Sequence, residues 1–86
     1  MEVSYTPDAL KDRQFWKKSG NKIIIKKITA LIEVIEDTPF EGIGKPEQLK
    51  HELSGYWSRR INKEHRIVYQ ILENKILILS LKGHYY

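Results

Sequence analysis

Two hydrophobic rhythms divide the chain. In NKIIIKKITALIEVIED, residues 21–37, Ile24, Ile28, Leu31, Ile32 and Ile35 recur at three- and four-residue spacing, and Lys22, Lys26, Lys27 and Glu33 fall largely on the other side. That period predicts an amphipathic helix over residues 22–37, capped by Asn21. After Gly55 the period changes to two. YWSRRI (56–61) and HRIVYQIL (65–72) are predicted strands joined by a tight NKE turn. ENK then leads into ILILSLKGHY (76–85), whose apolar residues occupy both parities, as in a central strand covered on both faces.

The N-terminal EVSYT (2–6) alternates and is β-prone, so it predicts a short first strand. Thr6-Pro7-Asp8 opens a helix, because threonine caps free N–H groups, proline fits the first turn and aspartate suits the positive dipole end. This helix is predicted to reach about Lys18, with Leu10, Phe15 and Trp16 facing inward and SGN closing it. So short a turn predicts that the two helices pack as a hairpin. Thr38-Pro39 stops the second helix, and FEGIGKPEQLKHELSG (40–55) is predicted as a loop with one helical turn starting near Pro46. The sum is one α+β domain over residues 1–86: an N-terminal strand and a two-helix hairpin packed on one face of an antiparallel β-sheet.

Composition changes this picture little. No cysteine is present, which excludes disulfides and thiolate metal sites and fits a reducing, cytoplasmic setting. The longest apolar runs are too short to span a membrane, and no signal peptide is visible. Fifteen Lys and Arg against eleven Asp and Glu give a net charge of +4, which favours a polyanionic partner such as nucleic acid or an acidic protein. The excess is diffuse, so any electrostatic focus must come from folding.

Candidate chemistry concentrates after Lys45. Strand parity sets Arg66, Val68 and Gln70 opposite the row Ile67, Tyr69, Ile71, which is an ordinary place for an exposed arginine. Helical spacing would put Glu47, Lys50 and His51 on one face, either as a surface ion pair or as a carboxylate held beside phosphate-binding cations. GYWSRRINKEHR interleaves Tyr56 and Trp57 with Arg59, Arg60, Lys63 and Arg66, suited equally to core packing with solvated arginines and to stacking on RNA bases. His51, His65 and His84 lack the spacing of a zinc site. A base, an arginine and a histidine gathered round one phosphate suffice to cleave RNA without metal. Spacing alone does not show that they converge.

TPFEGIGKPEQLKHELSGYWSRRINKEHRIVY, together with the terminal HY, closely resembles the Txe/YoeB type of toxin in the RelE/ParE superfamily. The resemblance covers almost the whole chain. It implies a RelE-like, microbial-RNase-type fold and an endoribonuclease that cuts mRNA in the ribosomal (30S) A site without a cofactor. It implies a YefM-like antitoxin as partner, with a homodimer as a further candidate assembly and no membrane association. It also implies roles. Glu47 of KPE is the general base, Arg66 of EHR stabilises the phosphate, and His84 of the terminal HY is the general acid, with Tyr85 orienting substrate. Lys50 and Arg60 match basic positions around the phosphate, and Trp57 and His51 are expected near the groove. Gly83, where the family has a bulkier residue, and Tyr86, which extends past the usual final tyrosine, depart from the pattern. The rival expectation is a non-catalytic RNA- or protein-binding module using the same basic aromatic face.

Overall fold

In the computed structural model, which describes residues 1–83, the chain runs β1 (Glu2–Tyr5), α1 (Pro7–Ser19), α2 (Lys22–Asp37), β2 (Glu47–Gln48), β3 (Trp57–Arg60), β4 (Arg66–Leu72) and β5 (Lys75–Ser80). The strands form one five-stranded sheet in the order β1-β5-β4-β3-β2. β3, β4 and β5 pair antiparallel, as expected, and β2 adds a further antiparallel strand at the edge of β3. β1 instead lies parallel to β5, so the sheet is mixed. The long connection between them, through both helices and β2–β4, supplies the crossover that a parallel pair requires. Among the described residues no helix is long and apolar enough to cross a membrane.

Local chemistry sets the helix ends. The Thr6 hydroxyl accepts from the Ala9 N–H at 3.2 Å, and Asn21 Oδ1 accepts from Ile24 N–H at 3.1 Å. Of the predicted apolar face of α2, Ile24, Ile28, Leu31 and Ile35 are buried and Ile32 packs against them. Their partners on the sheet are Ile67, Tyr69, Ile76 and Ile78. In α1 the prediction needs correction: Leu10 and Phe15 are each 46 % exposed, and the buried residues are Ala9 and Trp16. Phe15 instead meets the Trp16 ring edge-on and lies 3.8 Å below the Lys82 ammonium.

Three further expectations are corrected. The helical turn in residues 40–55 is a short 3-10 turn at His51–Leu53, and the residues after Pro46 pair with β3 as a strand. The final strand ends at Ser80 rather than running on to the chain end, and it is buried on one face and half-buried on the other, since the helices cover one face only. Arg66 is buried, 7 % exposed, where strand parity suggested a solvated side chain.

The most deeply placed charge is Arg59, which is fully buried. Its Nε donates to the Tyr69 hydroxyl at 3.1 Å, Nη1 to the Ile43 carbonyl at 3.1 Å, and Nη2 to the carbonyls of Glu41, at 2.8 Å, and Thr38. The Tyr69 hydroxyl in turn donates to the Pro39 carbonyl at 2.7 Å. These bonds pin the loop between α2 and β2 to β3 and β4. Gly44 completes the seam: its φ is 85°, and a Cβ there would come within 2.8 Å of Leu31 and 3.1 Å of Arg59.

Replacing Arg59 with leucine leaves these carbonyls without their donor, so we expect a loss of about 3 kcal/mol in urea unfolding. Arg59→Lys should recover only part of it, because an ammonium lacks the planar fork. Burial pushes the Tyr69 hydroxyl above its ordinary 10.0, with the Arg59 hydrogen bond and charge offsetting part of the rise. The unfolded chain therefore releases this proton first. Its contribution to stability is complete below pH 10.0 and is lost as pH climbs through the raised value. The free energy of unfolding measured against pH should decline less steeply above pH 10.0 in Tyr69→Phe than in the wild type.

Candidate active site

The sheet face away from the helices gathers the predicted polar residues by register. Glu47 of β2 lies opposite Ser58 of β3, Ser58 opposite Val68 of β4, and Arg60 directly opposite Arg66. Directly paired residues project from the same face. Glu47, Arg60 and Arg66 therefore share one surface. Arg60 is a diagonal neighbour of Glu47, about 7 to 8 Å away between Cα atoms. Two strands and one pleat repeat separate Glu47 from Arg66, roughly 12 Å from standard sheet spacings. A phosphodiester fits between side chains of this length.

Arg60 and Glu47 are exposed, whereas the Arg66 guanidinium is held by the turn beside it. Its Nη1 donates to the carbonyls of Asn62 at 2.8 Å, His65 at 3.1 Å and Lys63 at 3.3 Å. The turn is itself braced: Asn62 Oδ1 accepts from the N–H groups of Glu64 and His65 at 2.9 and 2.8 Å. Two arginines directly opposite each other are a like-charged cross-strand pair, which is destabilising. An anion between them removes that repulsion. The face thus offers a carboxylate that can take a proton and two guanidiniums that can grip non-bridging phosphate oxygens.

The end of β5 reaches this face through several tethers from α1. The Thr6 hydroxyl donates to the Leu79 carbonyl at 3.1 Å, and Asp12 Oδ2 accepts from Leu81 N–H at 3.0 Å. Trp16 Nε1 donates to the Leu81 carbonyl at 2.8 Å. The register between β4 and β5 shifts between Val68 and Tyr69, a bulge that bends the strand end. Beyond it Gly83 sits beside Arg66, its carbonyl accepting from the Arg66 backbone N–H at 3.0 Å. Its φ of 78° favours glycine, and among the described residues no atom crowds the position.

The remaining predicted residues distribute unevenly. Lys50 is exposed and extended just past β2, and His51 is exposed with a positive φ of 58°. Trp57 pairs with Tyr69 and so points to the helix side, where it meets Phe40 with ring centroids 4.9 Å apart. His84, Tyr85 and Tyr86 lie outside the described residues. Among the described residues no three His, Asp or Glu side chains are grouped to hold a metal ion. A concavity of about 370 Å³ opens between α1 and α2, lined by residues such as Arg13, Ile28, Ile32 and Glu36, on the side away from Glu47 and Arg60.

Asp12, Arg59 and His65 are structurally important residues that the sequence reading did not assign. Each carries a legible signal: Asp12 is four residues before Trp16 on one helix face, Arg59 shares parity with Trp57 and Ile61, and His65 with Ile67 and Tyr69.

Known proteins with this sequence and fold point one way. Residues 5–85 match the family described as YoeB-like toxin of bacterial type II toxin-antitoxin system. Toxin YoeB of Synechocystis sp. is 48 % identical over 85 residues, covering 99 % of this chain and 98 % of that protein. A YoeB–YefM complex from Staphylococcus aureus contains a chain 45 % identical with a TM-score of 0.90, covering 99 % of this chain and 98 % of that one. A YoeB dimer from the same organism is 44 % identical, with the same TM-score of 0.90 and the same 99 % and 98 % coverage. With sequence, length and fold in agreement, the chain belongs to the YoeB-like toxins of bacterial type II toxin–antitoxin systems.

Proposed function

We propose that this toxin is a ribosome-dependent endoribonuclease that cleaves mRNA in the A site and so stops translation. The observation that supports it best is the direct pairing of Arg60 with Arg66 on an open sheet face beside Glu47. Glu47 takes the proton of a ribose 2′-OH, whose oxygen attacks the adjacent phosphorus. The bond from phosphorus to the 5′-oxygen breaks, leaving a 2′,3′-cyclic phosphate, and His84 gives its proton to the departing oxygen. Arg66, fixed by the carbonyls of its turn, stabilises charge on the equatorial oxygens. Lys50 and Arg60 hold the RNA backbone, Tyr85 orients the substrate, and His51 borders the groove. Trp57, turned toward the helices, has no place at the phosphate in this scheme.

An open face suits this task better than an enclosed cavity, since the substrate is a polymer presented by a ribosome. The same exposure calls for an inhibitor. We assign that part to a YefM-like antitoxin with an acidic, partly disordered segment that folds across the basic face. The S. aureus relative solved with YefM and as a dimer supports both the antitoxin and a homodimer as partners. The cytoplasm is the corresponding place of action.

Translation-dependent cleavage should fall by at least about 100-fold in His84→Ala, the usual scale for losing a general acid. Arg66→Lys, which keeps the charge but not the fork, should lose a comparable factor while its circular dichroism stays unchanged. Cleavage should persist in excess chelator. If growth arrest survives both substitutions at full strength, the chain acts by binding and not by catalysis. Adding the antitoxin should protect the exposed Lys50 and Lys63 amines from acylation, read by peptide mass spectrometry. Unchanged labelling would show that inhibition does not work by covering this face.

A further inference from the structure

We propose that His65 is a positioning residue, which clamps the last peptides before His84 against the arginine turn. Its side chain is 18 % exposed and sits between α1 and the end of β5. Nδ1 accepts a hydrogen bond from the Gly83 N–H at 2.9 Å. That nitrogen must therefore be unprotonated, and the neutral ring carries its hydrogen on Nε2. The ring meets Trp16 edge-on, with centroids 4.9 Å apart, and Trp16 itself donates to the Leu81 carbonyl. On the other side, the His65 carbonyl accepts from Arg66 Nη1 at 3.1 Å.

Together with the neighbouring bond from Arg66 N–H to the Gly83 carbonyl, at 3.0 Å, this makes a two-point clamp. The Gly83 N–H belongs to the peptide unit shared with Lys82, and its carbonyl to the unit shared with residue 84. Holding both fixes Gly83, the residue that precedes His84 in the chain. His65 thus references the guanidinium and Gly83 to a single frame. Glu64, whose carboxylate lies 3.9 Å from Nε2, is largely solvent-exposed and leaves the Nδ1 bond undisturbed. The proposal rests on the endoribonuclease reading, because His84 is the group the clamp presents.

The clamp predicts a through-hydrogen-bond scalar coupling between the Gly83 amide nitrogen and His65 Nδ1 in the full-length ¹⁵N-labelled protein. His65→Leu should lose that coupling and lower kcat for ribosome-dependent cleavage by about 100-fold, the scale of a small misplacement of a reacting group. KM should stay within about twofold, because the effect falls on the chemical step. His65→Asn places an amide oxygen where Nδ1 stood, so it should retain activity within about tenfold of wild type. Absence of the coupling in wild type overturns the clamp, and this holds even if His65→Leu fails to fold. Wild-type kcat in His65→Leu, or equal loss in His65→Asn and His65→Leu, overturns it as well. If the wild-type chain cleaves nothing, or cleaves equally well in His84→Ala, the endoribonuclease reading falls first and the positioning role with it. Arg66-dependent cleavage without the coupling defeats the positioning role alone.

Discussion

A buried guanidinium held by uncharged oxygens is the constraint on which the candidate site depends. Arg59 has lost its water, so nearly every N–H it carries must find an oxygen. It finds the Tyr69 hydroxyl and three main-chain carbonyls from residues 38–43. An irregular loop is thereby given a fixed path over β3 and β4. β2 emerges from that loop a few residues later, and β2 carries Glu47. The placement of an exposed carboxylate thus follows from a cation on the opposite side of the sheet. Hydrophobic packing alone would not specify it, because the loop has little apolar surface facing the core.

The far end of the site is built by a different device. α1 contributes modestly to the core, through Ala9 and Trp16, and its polar side chains do the rest. Thr6, Asp12 and Trp16 each hold a main-chain group near the end of β5. Between these two anchorages lies the Asn62–His65 turn, which holds the Arg66 guanidinium with its own carbonyls. Three separate backbone-directed networks therefore fix the segments that border the candidate site. Each is polar, and each would be costly to leave half-made.

The core was largely legible in the sequence, and the site only in part. The period of α2 and the alternation of β3 and β4 follow from burial on one side, which leaves a plain pattern. The parallel pairing of β1 with β5 has no local signature, since partners such as Val3 and Ile76 are distant in sequence. Residues after Pro46 look helical because proline followed by good helix formers suits a first turn, and pairing with Ser58 and Trp57 outweighs that preference. Arg59, His65 and Arg66 were the hardest to place. Charge and polarity argue for solvent, yet their partners are carbonyls, a tyrosine hydroxyl and, for His65, a main-chain N–H, which leave no mark on hydropathy. The roles proposed for Glu47, Arg66 and His84 rest on the family resemblance, whereas the shared face of Glu47, Arg60 and Arg66 follows from the register.

Strand order also carries a consequence for synthesis. β5 is the last of these strands to be made, yet it sits inside the sheet, between β1 and β4. Until it arrives, β1 has no hydrogen-bonding neighbour, and the carbonyls that Thr6 and Trp16 will bind do not yet exist in the chain. The helix hairpin can form early, but the sheet closes only at the end, through contacts distant in sequence. A nascent chain of this toxin thus has no finished sheet until β5 has left the ribosome that is making it.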